Sequence, residues 1–172
     1  MPGDRVFIDT NIILEAFRTD CWRSVCARFS VETVEKCVEE ALTGDPLDPR
    51  LIAVDRRTLL DGLAARHAVE KRDVAELLLQ YPQCDGLDDG ERHLLAWLNR
   101  NRVSEALLLL STADKAALVA AAQLGFLDSV VSLEQLASDS GVAGARIRAL
   151  RDQYRKDWLA GIRTKIRLGV IP

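Results

Sequence analysis

The stretch that decides the fold is "RVFIDTNIILEAF", residues 5–17. An apolar run from Val6 to Ile8 leads directly to Asp9, and Asn11 follows two positions later, before a second apolar run begins. A carboxylate so close to a hydrophobic core is destabilising unless something pairs with it. Two explanations are open at this point: Asp9 caps the helix that follows the strand, or it holds a cation.

Composition describes an ordinary globular chain. It has 172 residues, of which 48% are hydrophobic and 28% charged, which predicts one domain with a proper core. No apolar run approaches the roughly 20 residues that span a bilayer. The start, "MPGDRVF", lacks the organisation of a signal peptide. We therefore expect a cytoplasmic protein with no membrane partner.

The cysteines and histidines argue against a soft-metal site. The four cysteines are scattered and form no CxxC pair, so we expect free, partly buried thiols rather than a zinc site or a disulfide framework. The chain has only two histidines, His67 and His93, which excludes a histidine-rich metal site.

Predicted strands alternate with predicted helices along the chain. We expect strands at 5–9, around 26–31, at 106–111 and, shorter, at 129–133, with a doubtful extended piece at 51–57. Helices are expected over 11–18, 32–44, about 58–80 with Leu77, Leu78 and Leu79 in the core, 91–101 and 113–125. The prolines at 45–50 predict a loop. This alternation predicts an α/β fold in which helices flank a central parallel sheet.

Acidic residues concentrate where ligands bind in such a sheet, beyond the carboxyl ends of the strands. Asp9 and Asn11 follow the first strand, Asp114 follows the strand at 106–111, and Asp88, Asp89 and Glu91 open a helix between them. Each acid could simply cap a helix. Crowded carboxylates raise one another's pKa, however, and a hard divalent cation is the natural counter-charge.

Three segments resemble, in order, the first, third and fourth acidic motifs of the PIN domain family of metal-dependent ribonucleases, which includes toxins of bacterial toxin-antitoxin modules. They are "VFIDTNIILEAF", "LDDGERHLLAW" and "LLLLSTADKAALVAAAQLGFLDSVVSLEQL", and together they span about residues 5–136. The resemblance implies a three-layer PIN-like nuclease domain over 1–140.

The resemblance also implies a site and a chemistry. Asp9, Glu91 and Asp114 would hold Mg²⁺ or Mn²⁺, and Asn11 would bind a phosphate, a water or a neighbouring carboxylate, with Thr10 pointing the other way. The second-motif acid is Glu35 if the second strand ends near Ser30, or Glu39 or Glu40 if the helix begins later. The implied reaction is hydrolysis of an RNA phosphodiester by a metal-activated water.

Two other functions compete with this one. A haloacid dehalogenase-type phosphatase also begins with an Asp at a strand end, but it needs a second Asp where this chain has Asn11. A PIN-like module without effective hydrolysis, which binds RNA or docks a partner, is the stronger rival. An antitoxin, another protein or a second copy of this chain are the partners that the resemblance implies.

The C-terminal segment, residues 141–172, departs from the family pattern. It carries a net charge of +6 from residue 144 onward, which leaves −9 for residues 1–143 of a chain whose net charge is −3. We expect a long basic helix over 142–168 with a break at Gly161. Arg148, Arg151 and Arg155 would share one face and contact the RNA backbone. An apolar stripe of Leu150, Tyr154, Trp158 and Ile162 would pack on the body or on a second copy.

Overall fold

The computed structural model describes residues 4–43, 51–101 and 108–171. Within them, four parallel strands form one sheet in the order β3-β2-β1-β4. The strands are β1 Arg5–Ile8, β2 Ser30–Val34, β3 Ala65–His67 and β4 Leu109–Ser111. The predicted α/β class with a parallel sheet is confirmed.

Helices connect the strands and cover the sheet. The ten α-helices of the described residues are α1 Thr10–Arg18, α2 Trp22–Arg28, α3 Glu35–Leu42, α4 Arg56–Gly62, α5 Lys71–Gln80, α6 Asp89–Asn101, α7 Lys115–Gln123, α8 Leu133–Asp139, α9 Gly144–Arg148 and α10 Lys156–Arg167. Val6, Phe7 and Ile8 are each at most 1% exposed, so both faces of the central strand are covered. This arrangement is compatible with three layers. None of the described helices is long and apolar enough to cross a membrane.

The second strand lies later than the sequence predicts. Residues 26–28 end helix α2, β2 begins at Ser30, and α3 starts only at Glu35. The reason is Glu32, which looks like a helix-surface acid in the sequence but is buried in the strand. Its carboxylate accepts a 2.7 Å hydrogen bond from Arg5 Nε of β1 and lies 2.7 Å from His67 Nε2 of β3. These partners come from distant parts of the chain, so a local pattern does not reveal them.

Other predicted elements also need correction. The helical prediction over 58–80 missed β3, which lies between α4 and α5, and Leu79 is 85% exposed although it was expected in the core. The segment 129–133 is not a strand, because only Val130 forms a bridge, to Leu110, before α8 begins. Residues 52–55 form no strand or helix. The predicted loop at 45–50 and the first two residues of the predicted strand at 106–111 lie outside the described residues. All four cysteines are free, as predicted.

The C-terminal segment is not one long helix. The short helix α9 ends at Arg148, a 3-10 turn follows at Asp152–Tyr154, and α10 then runs through Gly161 without a break. The predicted helix is interrupted between Leu150 and Tyr154, whose side chains are buried in the core. Arg148, Arg151 and Arg155 therefore do not share a helix face, and that prediction was wrong.

The anchor of this segment is Glu15 of α1, which is fully buried. Its carboxylate accepts two hydrogen bonds from Arg18, of 2.8 and 2.7 Å, and one of 2.8 Å from the backbone N–H of Arg151. Arg18 also donates to the carbonyl of Ala149. Burial alone would raise the pKa of Glu15, but these hydrogen bonds outweigh it and hold the pKa below its usual value.

The predicted packing of the apolar stripe on the body is confirmed. Leu150, Tyr154 and Ile162 are buried, Trp158 is half-buried, and all four belong to or pack against the one core cluster. Helix α10 lies against α7 and α8. Residues beyond 141 therefore share a core with the sheet-bearing body.

This shared core gives a stability prediction. We expect Ile162→Ala to lower the free energy of unfolding by about 2–4 kcal/mol, because it leaves a cavity in a buried site. The control is Leu168→Ala near the end of the same segment, where the side chain is 72% exposed, and it should change stability by less than about 0.5 kcal/mol. Urea unfolding measures the free energy of unfolding of both variants. Equal losses of stability would show that α10 is not part of the core.

Candidate active site

Asp9 lies at the carboxyl end of the central strand and does two things at once. Its Oδ1 accepts a 2.9 Å hydrogen bond from the N–H of Ile12, which caps the start of α1. Its Oδ2 is buried and has no hydrogen-bond partner among the described residues. Capping therefore accounts for one oxygen of this carboxylate and leaves the other available for a ligand.

Burial raises the pKa of Asp9 to about 6. The charge of Asp114 contributes to this raised pKa, while hydrogen bonds from the Thr112 hydroxyl, which follows β4, and from the N–H of Ile12 oppose the rise. The side chain is 1% exposed, so water does not supply the missing stabilisation.

Asp114, which follows β4, caps a helix in the same way as Asp9. It is the cap residue of α7, and its Oδ1 accepts a 2.9 Å hydrogen bond from the N–H of Ala117. The side chain is half-buried. Adjacent parallel strands β1 and β4 thus each deliver a capping aspartate to the same edge of the sheet.

Glu91 comes from the first turn of α6 and is 6% exposed. Its Oε1 is buried and, within the described residues, no hydrogen-bond donor reaches it. Burial, together with the charges of Asp9, Asp114 and Asp88, raises the pKa of Glu91 to about 8. Asp9, Glu91 and Asp114, three residues predicted to form one site, are therefore close enough to interact electrostatically.

The side chains of Asp9, Glu91 and Asp114 are not arranged as a complete set of metal ligands in this structure. In residues 4–43, 51–101 and 108–171, no three His, Cys, Asp or Glu side chains are close enough together to hold a metal ion. Asp9 Oδ2 and Glu91 Oε1 nevertheless fit a hard cation, because carboxylate oxygens are the ligands that Mg²⁺ and Mn²⁺ prefer and these two atoms have no hydrogen-bond partner among the described residues.

Among the candidate second-helix acids, the structure brings Glu40 into this region. Glu40 Oε2 accepts a 2.6 Å hydrogen bond from the Thr10 hydroxyl, and its Oε1 accepts one of 2.9 Å from the N–H of Gly90. Glu35 is exposed at the first position of α3, and Glu39 is exposed and pairs with Lys36 at 3.2 Å. Glu35, the first candidate from the sequence, thus does not line the cavity that Glu40 lines.

An open cavity of about 420 Å³ lies beside Glu91. The side chains around it are mostly polar: Thr10, Asn11, Glu40, Leu87, Asp88, Asp89, Glu91 and Arg92. Asn11 lines this cavity, so its side chain can contact a ligand there. Its contact with substrate stays a prediction. Thr10 was predicted to point away, which is wrong, because it lines the cavity and donates to Glu40.

Sequence reasoning missed Arg92 and Thr112. The Arg92 guanidinium lines the cavity, where it donates to Asp89 at 2.7 Å and to Asp85 at 3.2 Å. Its position one residue after Glu91 was the signal available in the sequence. Thr112 comes two residues before Asp114, and nothing in the sequence distinguishes its hydroxyl from that of a structural threonine.

The three arginines predicted to bind RNA have different surroundings. Arg148 is exposed at the end of α9. The guanidinium of Arg151 lies 3.9 Å from Glu15, and that of Arg155 donates to the carbonyls of Arg148 and Leu150. Two of the three side chains thus already contact the chain itself.

Comparison with known proteins adds no assignment. No protein-family model matches the chain, and no curated protein matches its sequence significantly.

The contact between Glu40 and Gly90 requires a residue without a side chain. A Cβ atom at Gly90 would lie 2.3 Å from Glu40 Oε2 and 2.8 Å from Thr10 Oγ1, which is too close. We expect Gly90→Ala to lower the free energy of unfolding by about 1–3 kcal/mol, since Glu40 must move. Gly86→Ala is the control, because nothing lies within 4 Å of a Cβ there. Thermal unfolding that gives the same midpoint for both variants would contradict the close packing.

The raised pKa of Glu91 predicts a pH dependence of stability. The folded chain holds a proton on Glu91 up to about pH 8, whereas the unfolded chain loses it near the ordinary value of 4.5. Stability in EDTA should therefore fall as pH rises between these values, and Glu91→Gln should remove that part of the fall.

We expect Glu91→Gln to melt on the order of 5 °C above the unmodified protein at pH 8 and level with it near pH 4.5. Glu35→Gln makes the same chemical change at an exposed acid and should have little effect at either pH. A Glu91→Gln midpoint that is not raised at pH 8 would show that this carboxyl is not destabilised by burial.

Proposed function

We propose that this protein is a metal-dependent endoribonuclease that hydrolyses RNA phosphodiester bonds. The observation that carries the proposal is the pair of buried oxygens, Asp9 Oδ2 and Glu91 Oε1, that have no partner within the described chain and belong to carboxylates that repel each other and Asp114. A site of this kind binds a divalent cation more favourably than it binds water. The order of the acidic segments, which resembles the PIN domain pattern, supports the choice of substrate.

In this proposal, Asp9, Glu91 and Asp114 hold Mg²⁺ or Mn²⁺. A bound cation would supply a nucleophile at neutral pH and stabilise the charge that develops on the phosphate. Of the three, Asp114 is the least buried.

Other residues of the chain position the substrate. The Asn11 amide can donate a hydrogen bond to a phosphate oxygen in the cavity. Glu40 acts through Thr10 and Gly90, which hold the starts of α1 and α6 together and so fix Asp9 relative to Glu91. Among the predicted RNA contacts, Arg148 is the best placed to reach a phosphate, because it is exposed.

Loss of metal-dependent cleavage tests the assignment. We expect Asp9→Asn and Asp114→Asn each to lower Mn²⁺-dependent cleavage of single-stranded RNA by at least about 100-fold, because each removes a charge that holds the cation. Their thermal midpoints in EDTA should be equal to that of the unmodified protein or higher, since a repulsive charge is gone.

Glu35→Gln is the matched control and should cleave normally, because Glu35 lies outside the cavity. Full activity of either aspartate variant would refute its role. If the unmodified protein binds RNA but does not cleave it in Mn²⁺, the protein is instead the non-hydrolytic PIN-like module, with RNA or a partner such as an antitoxin as its ligand.

A further inference from the structure

A second cavity of about 620 Å³ runs along α7, the helix that Asp114 caps. Its apolar floor is formed by Val119 and Ala120 of α7 together with Ile171, and the exposed Ala116 lies at its rim. The cavity differs in character from the acidic one, and none of the proposed metal ligands lines it. We call it the α7 groove.

Residues that line the α7 groove are close in sequence to residues of the candidate active site. Lys115, the first residue of α7, lines the groove and directly follows Asp114. Gln83, on the opposite wall, belongs to the 3-10 helix Pro82–Gly86, and the next residue, Leu87, lines the acidic cavity. The groove and the acidic cavity are thus connected along the chain at two places, through Asp114 and Lys115 and through the segment from Gln83 to Leu87.

The polar groups of the groove are few and specific. Gln83 Nε2 donates a hydrogen bond to Gln123 Oε1, so these two exposed amides of the lining lie side by side. This bond does not use the side-chain oxygen of Gln83, an acceptor, or the side-chain NH₂ group of Gln123, a donor. Together they offer one acceptor and one donor side by side. Lys115 is exposed and makes no ion pair within the described chain, so its ammonium group is available for an anion.

We infer that the α7 groove is a binding subsite for one nucleotide of the RNA substrate, next to the bond that is cut. This inference rests on the proposed function. The base lies on the apolar floor, its edge meets the paired amides of Gln83 and Gln123, and Lys115 contacts the phosphate. An apolar pocket with a few fixed polar groups is the usual form of a small-ligand site. Unpaired bases with exposed edges are what sequence-selective RNA-binding proteins recognise.

The test measures binding in EDTA, so that it does not depend on cleavage. Each of the four ribonucleoside monophosphates, and ribose phosphate as a probe without a base, is titrated into the full chain and followed by heteronuclear NMR. At least one nucleotide should bind, with shifts centred on α7, and ribose phosphate should bind at least about tenfold more weakly. Lys115→Gln should weaken nucleotide binding by about threefold to tenfold.

A variant that fills the groove with a large side chain tests directly whether the nucleotide binds there. Val119→Trp should reduce nucleotide affinity by at least about tenfold. Ala116→Phe fills the groove from its exposed rim and replaces Val119→Trp if that variant does not fold. Leu79→Trp adds the same bulk at an exposed site on α5 and should bind normally.

The inference is overturned if no nucleotide binds, if ribose phosphate binds as well as the nucleotides, or if filling the groove leaves binding unchanged. RNA cleavage without a nucleotide site in the groove would overturn this inference alone. Nucleotide binding in the groove of a chain that does not cleave RNA would instead overturn the proposed nuclease function and keep the subsite.

Discussion

The rest of the structure depends on one electrostatic constraint: carboxylates are buried at the carboxyl edge of the sheet, and the residues that the structure describes supply no counter-charge to them. The chain can pair buried acids when it needs to, since Glu15 and Glu32 are each held by an arginine, and the pKa of each is lowered despite burial. Asp9 and Glu91 have no such cation among the described residues, and the pKa of each is raised. The described residues thus neutralise Glu15 and Glu32 but not Asp9 and Glu91. A positively charged ligand would stabilise these two carboxylates at the edge of the sheet.

The surrounding packing keeps these acids in place. Glu40 links the starts of α1 and α6 through Thr10 and Gly90, so the helices that carry Asp9 and Glu91 cannot move independently. The C-terminal segment adds a second constraint, because Glu15, on the same helix that Asp9 caps, binds the backbone of Arg151. The cations of that segment serve this docking as well. Arg146 pairs with Asp20 at 2.8 Å, Arg163 donates to the carbonyl of Val130, and Arg167 pairs with Asp128. Much of the positive charge that suggested an RNA contact thus holds the segment on an acidic body.

The sequence predicted the features that follow from local chemistry. The apolar run before Asp9, the capping position of Asp114 and the first-turn position of Glu91 are visible as patterns, and the parallel sheet follows from the alternation of elements. What it could not predict depends on contacts between distant residues. Strand β2 contains Glu32 only because Arg5 and His67 surround it. The C-terminal helix breaks near Leu150 because α1 provides Glu15 as a partner for the turn. The sequence alone could not distinguish Glu40 from Glu35 as the second-helix acid of the site. The hydrogen bonds of Glu40 with Thr10 and Gly90 made that distinction. The role of Arg148, Arg151 and Arg155 in RNA binding stays a prediction.

The central claim is that Asp9, Glu91 and Asp114 together hold a divalent cation, and calorimetric titration with Mn²⁺ tests it most directly. The titration compares the unmodified protein with Asp114→Asn and with Glu35→Gln, in a buffer that does not bind the metal. The account predicts saturable Mn²⁺ binding to the unmodified protein and to Glu35→Gln, and affinity at least about tenfold lower in Asp114→Asn. No saturable binding to the unmodified protein, or equal affinity in all three, would contradict it.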